Sequence, residues 1–330
     1  MKPRLMGVAV LIILVGAALV GSIMFGIVQI PLRAVSNAFW SYDASQEAQL
    51  IIRSVRLPRA LIAAAVGGSL AVAGCLMQAL SRNALAGPEL FGVNYGAALA
   101  VVIASIVLNS TSLAVFSWSA LLGAAVAGAS VFLLGSLGRD SLTSVKLVLA
   151  GATINLLLTS LTQGILILNE QSLDTMRFWL AGSLTGRDLQ LFMQVLPYML
   201  VGLVCAFGLS NHMNVIGLGE EMAQGLGQRV FFIKAICIVA IVLLAGSAVA
   251  IAGPIGFIGL AIPHIARSLV GLNYRWIIPY SALLGALLLL LADIGARFVL
   301  PEQEIPVGVV TAFFGAPFLI YLAQRKDGTT

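Results

Sequence analysis

Phe231-Phe-Ile-Lys-Ala-Ile-Cys-Ile-Val-Ala-Ile-Val-Leu-Leu-Ala-Gly-Ser-Ala-Val-Ala-Ile-Ala252 carries a single charged residue, Lys234, in a run about as long as a bilayer is thick. Crossing some 30 Å of hydrocarbon takes roughly 20 residues of helix. Similar runs lie on either side of it. Ten are expected to span, at 6–27, 60–80, 93–108, 114–136, 145–167, 189–208, 231–252, 255–272, 277–297 and 306–324. The chain of 330 residues is 60% hydrophobic and 9% charged, with a mean hydropathy of +1.05. A soluble domain has too little polar surface at that composition to cover its exterior. Lipid offers no partner to open strand edges, and the runs lack the alternation of a barrel. The expected fold is all-α: one polytopic membrane domain over 1–330 with about ten transmembrane helices. Span 255–272 carries Pro263, His264 and Arg267 and is expected to be broken.

Basic residues orient the chain. Both termini are basic, with Lys2 and Arg4 at one end and Arg325 and Lys326 at the other, which puts both in the cytosol and fits an even number of spans. Eleven of the eighteen basic residues, including all four lysines, fall on the cytosolic side of this layout. Arg33, Arg53, Arg56, Arg59, Arg177, Arg187 and Arg297 fall outside, so these arginines call for a reason. The N-terminal run is longer than a signal-peptide core and lacks a small-x-small cleavage site, so it reads as an uncleaved first span. Cys75, Cys205 and Cys237 sit in apolar segments at no useful spacing and read as packing residues. Glycine is frequent, at 34 residues, and Gly67, Gly68 and Gly74, or Gly123 and Gly128, read as helix-contact stripes. Ala84-Leu-Ala-Gly-Pro-Glu-Leu-Phe91 is echoed by Ala250-Ile-Ala-Gly-Pro-Ile-Gly-Phe257 on the opposite side of the layout. An inverted repeat of spans 2–5 and 7–10 would produce that opposition.

Three constellations stand out. Arg53, Arg56 and Arg59 precede span 2 at the outer rim, where arginine forks suit carboxylates on a partner or phosphates of membrane lipid. The cytosolic stretch 216–228 contains Gly217-Leu-Gly-Glu-Glu-Met-Ala-Gln-Gly-Leu-Gly227. Gly219 can start a short helix there and Gly225 or Gly227 can stop it. Such a helix puts Glu220, Glu221 and Gln224 on its polar side and Met222 and Leu226 among its apolar contacts. It is either a handle for a soluble partner or a solvated loop. The third constellation runs from Gly253 to Glu304, where Asp293 and Arg297 have the spacing of an intrahelical ion pair. Asp293 is the one acid placed inside a span. The sequence lacks G-x-x-x-x-G-K-[ST], paired histidine ligands and any Ser-His-Asp set, so no catalytic residue, metal site or bound cofactor is expected.

Taken in order, these pieces resemble the permease subunits of iron–siderophore and cobalamin importers, the FecCD type. The matching stretches are Arg56-Leu-Pro-Arg-Ala-Leu61, Ala73-Gly-Cys-Leu-Met-Gln78, Arg82-Asn-Ala-Leu-Ala-Gly-Pro88, Gly92-Val-Asn-Tyr-Gly-Ala97, Leu149-Ala-Gly151, Trp179-Leu-Ala-Gly-Ser183, Pro263-His-Ile-Ala-Arg267, Ala292-Asp293 with Arg297, and Pro306-Val-Gly308. Ala84 stands where the family often has proline.

The resemblance implies ten spans in a bacterial cytoplasmic membrane and a second permease subunit, identical or related. It also implies two cytosolic ATPase subunits that use the ATP, an extracytoplasmic binding protein, and no nucleic-acid partner. Arg56, Arg59 and Arg297 would receive acidic residues of the binding protein. Gly219, Glu220, Glu221, Gln224 and Gly227 would form the coupling helix seated in the ATPase. Met77, Gln78, Asn94, Asn155 and Gln163 are candidates to line the path, with helix-to-helix bonding as the competing role for each. Ferric siderophores are the expected cargo. Cobalamin or haem carried by the same machinery and an ion-coupled secondary transporter are the alternatives.

Overall fold

The computed structural model describes residues 2–26, 29–43, 45–137, 143–169, 176, 179–298 and 304–326, and every regular element among them is helical. Helix α1 (Lys2–Met24) is followed by α2 (Leu32–Trp40) and α3 (Glu47–Ile51), which winds through a π-turn at Ile52–Arg56 into α4 (Leu57–Ser81). Pro58 stands at the second residue of α4, directly after the π-turn. Next come α5 (Val93–Val107), α6 (Leu113–Ser136), α7 (Ser144–Leu168) and α8 (Leu189–Ile216). A short helix, α9 (Glu220–Gly225), precedes α10 (Val230–Ala252), α11 (Ile258–Val270), α12 (Tyr274–Ala296) and α13 (Val307–Lys326).

Seven helices are long and apolar enough to cross a membrane: Pro3–Met24, Glu47–Ser81, α6, α7, α8, α10 and α12. The other three expected spans are also apolar helices but shorter: α5, α11 and the Val307–Phe318 part of α13. The expected break in span 255–272 lies at its entrance. Gly253 (φ 73°) ends α10, Phe257 (φ 75°) starts α11, and Pro263 is accommodated inside a continuous α11.

Helix α4 forms the centre. Its most apolar stretch is 83% buried, and it packs against α10, α11 and α12. Without a hydrophobic drive between helices in lipid, such packing rests on close backbone approach. A Cβ at Gly74 would stand 1.9 Å from the Gly259 carbonyl oxygen, and one at Gly67 would stand 2.2 Å from that of Gly285. Gly123 meets Gly96 in the same way between α6 and α5. Gly74→Ala is therefore expected to cost about 1–3 kcal/mol, the usual range for an overpacked core. Gly164, with nothing within 4 Å of its would-be Cβ, should tolerate alanine. Thermal unfolding of the two variants in lipid nanodiscs checks the contrast.

The echoed Gly-Pro segments are both helix breaks. The 3-10 turn Pro88–Phe91 sits halfway along α7, where Asn155 donates to the Glu89 carbonyl at 3.0 Å. Its Pro88 also packs on Gly259 at the start of α11. Helix α7 is only 17% buried over its apolar stretch, so within one subunit most of its surface has no protein cover.

Candidate functional site

Two clusters of charge occupy opposite ends of α4. Its 25 residues span about 37 Å at 1.5 Å per residue.

The first cluster forms where α1 ends. A helix leaves its last four carbonyls without partners, and cations are favoured there. Arg56 supplies Nη1 to the carbonyls of Ile23 (2.7 Å) and Met24 (2.9 Å). Arg297, at the end of α12, supplies Nη1 to those of Ser22 (2.8 Å) and Phe25 (3.0 Å), and Nη2 to the Ser22 hydroxyl (3.0 Å). Arg297 also pairs with Asp293 one turn back, as their spacing predicts. Asp293 is fully buried and takes a second guanidinium, Arg59, with Nη2–Oδ1 at 2.8 Å and Nε–Oδ1 at 2.9 Å. Arg59 reaches outward to Glu304 at 2.7 Å, and the Thr185 hydroxyl donates to the same Glu304 oxygen at 2.7 Å. Burial alone would raise the Glu304 carboxyl, but Thr185 and Arg59 hold it below its ordinary value.

The outer arginines are thus buried, with 7%, 7% and 6% of Arg56, Arg59 and Arg297 exposed. The expected rim of outward-facing forks is instead a closed network tying α1, α4, α12 and the approach to α13 together. The reason is chemical: α1's carbonyl end, Asp293 and Glu304 supply acceptors that the sequence does not place near one another. Arg177 lies outside the described residues; among those described, the exposed outer arginines are Arg33 and Arg53, and Arg53 stacks on Tyr42 at 3.9 Å and donates to the Ala38 carbonyl.

The second cluster holds α9. Gly219 (φ 129°) caps its start and Gly227 (φ 82°) turns the chain away after it, conformations that favour glycine. Glu220 turns inward to Lys234 of α10, with Nζ–Oε2 at 2.6 Å, and lies 3.8 Å from Arg82 just past α4. Lys234 is fully buried. Ala223 is the buried contact of α9, whereas Glu221, Met222, Gln224 and Leu226 are exposed. The expected faces are therefore corrected: Met222 and Leu226 point away from the chain, and Glu220 points in. With Leu218 they expose 57%, 65% and 64% of three large apolar side chains on one cytosolic segment.

The candidate path residues separate. Met77 and Gln78 are 1% and 4% exposed, inside helix contacts rather than on an open surface. The Gln78 amide donates to the Leu260 carbonyl at 3.0 Å and its oxygen accepts from Arg267. Asn155 is half-buried and bonded to the Pro88–Phe91 turn, with its Oδ1 buried and unpaired among the described residues. Asn94 is half-buried and Gln163 exposed.

A family model, that of the FecCD transport family, matches residues 10–325. The chain belongs to this family. Among FecCD relatives, a Bacillus subtilis protein named as a probable siderophore transport system permease is 49% identical over 96% of this chain and 94% of its own length. The ferric enterobactin transport system permease of Escherichia coli is 42% identical over 96% of this chain and 93% of its own. A solved structure described as an inward-facing conformation of a metal-chelate type ABC transporter superposes with a TM-score of 0.84. It is 30% identical, over 96% of this chain and 98% of that one. The FecCD chain is accordingly a membrane permease of the ABC transporter class.

Four members of these clusters escape a reading of the sequence alone. Lys234 had one signal, a lone lysine inside an apolar run. Glu304 was visible, but its contact with Arg59 lies 245 residues away. Ser22 and Thr185 gave none.

Proposed function

We propose that this chain is the membrane subunit of an ATP-driven importer of ferric siderophores, acting as a pair with an identical or related permease. It lies in a bacterial cytoplasmic membrane as one domain of ten spans with both termini cytosolic, and α5, α11 and α13 complete the ten. Spans 2–5 and 7–10 form an inverted repeat, each half carrying one of the two Gly-Pro breaks. The cargo is inferred from the names borne by the relatives, and ATP is hydrolysed by two separate cytosolic subunits.

One observation carries the mechanism: α9 and the residues flanking it expose Leu218, Met222 and Leu226 while Glu220 bolts the segment to the buried Lys234 of a spanning helix. A chain without a nucleotide site can use ATP only through a physical contact, and this segment has the form of one. Gly219, Glu220, Glu221, Gln224 and Gly227 make up the handle. A binding protein docks at the other end, where Arg56, Arg59 and Arg297 fix the shape of the rim and Asp293 and Glu304 hold them. Asn94, Asn155 and Gln163 line the path, with α7 facing it. Weak, distributed contacts of this kind let a cargo leave again.

The test is uptake of radiolabelled ferric chelate into liposomes holding the complete complex and its binding protein. Uptake should require ATP and the binding protein together. Uptake by this chain with no ATPase present would favour an ion-coupled carrier, and competition by cobalamin or haem alone would move the cargo.

A further inference from the structure

Beside the outer network lies a cavity of about 410 Å³, walled by Thr111, Phe116, Trp179, Ser183, Thr185, Arg187 and Glu304 among others. Its size falls within the range of small-ligand pockets. Arg187 is 92% buried, and its one partner among the described residues is the Ser183 carbonyl, to which Nε donates at 3.0 Å. Its two terminal nitrogens face no carboxylate among those residues. Burial pushes the guanidinium down to about 10, so it stays cationic at neutral pH. Buried arginines are ordinarily paired with an acid.

Trp179 repeats the pattern. It is 3% exposed, and its indole N–H meets no acceptor among the described residues. A buried donor left unpaired is costly, so the Trp179 N–H, with Arg187 on the same cavity wall, is set for an acceptor that the described residues do not supply. Among the described residues the nearby acids are already engaged: Glu304 by Arg59 and Thr185, Asp293 by Arg59 and Arg297, and Asp188 by the Gln190 N–H. Arg187 thus brings to the cavity wall a charge that no carboxylate among the described residues neutralises.

We propose that this cavity is a subsite for the oxygen-rich anionic face of a ferric chelate, with Arg187 and Trp179 as its donors. A guanidinium fork and a single N–H together suit carboxylate or catecholate oxygens, and Ser183 and Thr185 add hydroxyls at the wall. The inference rests on the reading of the chain as a ferric-chelate importer. It adds that the permease itself sorts cargo by charge at its outer mouth.

The test measures binding of radiolabelled ferric dicitrate, an anionic chelate, and of a cationic ferric trihydroxamate to the complete complex in nanodiscs without binding protein. The wild-type complex should bind the anionic chelate saturably and the cationic one not at all. Arg187→Gln should weaken that binding by about tenfold or more, as the loss of a charged hydrogen bond implies. Arg187→Lys should keep most of it, and Trp179→Phe, which removes the N–H while keeping an aromatic ring, should weaken it a few-fold. Equal binding of both chelates, no saturable binding, or full affinity in Arg187→Gln would overturn the subsite. Parallel ATP-driven uptake of either chelate through its binding protein separates the two readings. Persisting uptake leaves the importer standing without the subsite, whereas no uptake of any ferric chelate removes the importer itself.

Discussion

Asp293→Leu should be the most damaging single substitution in the chain. The carboxylate is fully buried and shared by Arg59 and Arg297, so its loss strands two guanidinium groups away from water. Breaking a buried pair from one side costs about 3–5 kcal/mol, a large share of a typical domain's stability. Glu304 retains part of Arg59, and the α1 carbonyls retain part of Arg297, which places the expected loss near the lower figure. The informative comparison is the double variant Asp293→Leu with Arg59→Met. Replacing a whole buried pair by apolar groups of similar size is often neutral, so the double variant should be more stable than Asp293→Leu alone. Unfolding in nanodiscs measures both, and a double variant that is less stable than the single one would show that Arg59 acts through contacts other than Asp293.

Lys234→Met should leave the chain folded and cripple transport. The substitution removes a buried cation together with its desolvation cost. Glu220 keeps Arg82 within 3.8 Å and some access to water, so the stability loss should be about 1–2 kcal/mol. What disappears is the 2.6 Å bond that ties α9 to a spanning helix. ATP-driven uptake in proteoliposomes should fall sharply, while ATPase activity persists and no longer responds to the loaded binding protein. Replacing Glu220 and Glu221 together, or exchanging Gly219–Gly227 for a glycine–serine stretch, should give the same split. Normal uptake in Lys234→Met would mean that α9 transmits force without this anchor. Normal uptake in the glycine–serine exchange would dismiss α9 as the coupling element.

The apolar runs were legible because hydrocarbon imposes a length, and each of the ten expected stretches forms a helix. The three short ones show where that rule weakens. Helices α5 and α11 start at turns packed within the protein, against α7 and α4, so they need not be a bilayer long. The Gly219 and Gly227 bounds of α9 were equally visible, because a short helix between glycines has few alternatives. Its faces were not. Six residues give too little periodicity to tell that Ala223, rather than Met222, goes inward. The Asp293–Arg297 pair could be read because it is local. Arg59 to Glu304 and Lys234 to Glu220 could not, since an ion pair between distant segments leaves no spacing to find. For the same reason the three rim arginines looked exposed. A sequence shows that a guanidinium stands at a helix end, but not that another helix finishes beside it.

That last feature has a consequence for how the molecule is made. The carbonyls that end α1 are closed by Arg56, which follows 33 residues after Ile23, and by Arg297, which follows 275 residues after Ser22. During synthesis the first helix enters the bilayer long before its final partner has left the ribosome. Until then, water or lipid headgroups must serve those carbonyls, and Asp293 does not yet exist to steady Arg59. The guanidinium that completes this helix end is translated 275 residues after the carbonyl it closes. A chain cut short before α12 ends therefore carries an unfinished seam between its beginning and its middle, the kind of exposed polar defect by which membrane quality-control proteases can tell a partial product from a finished one.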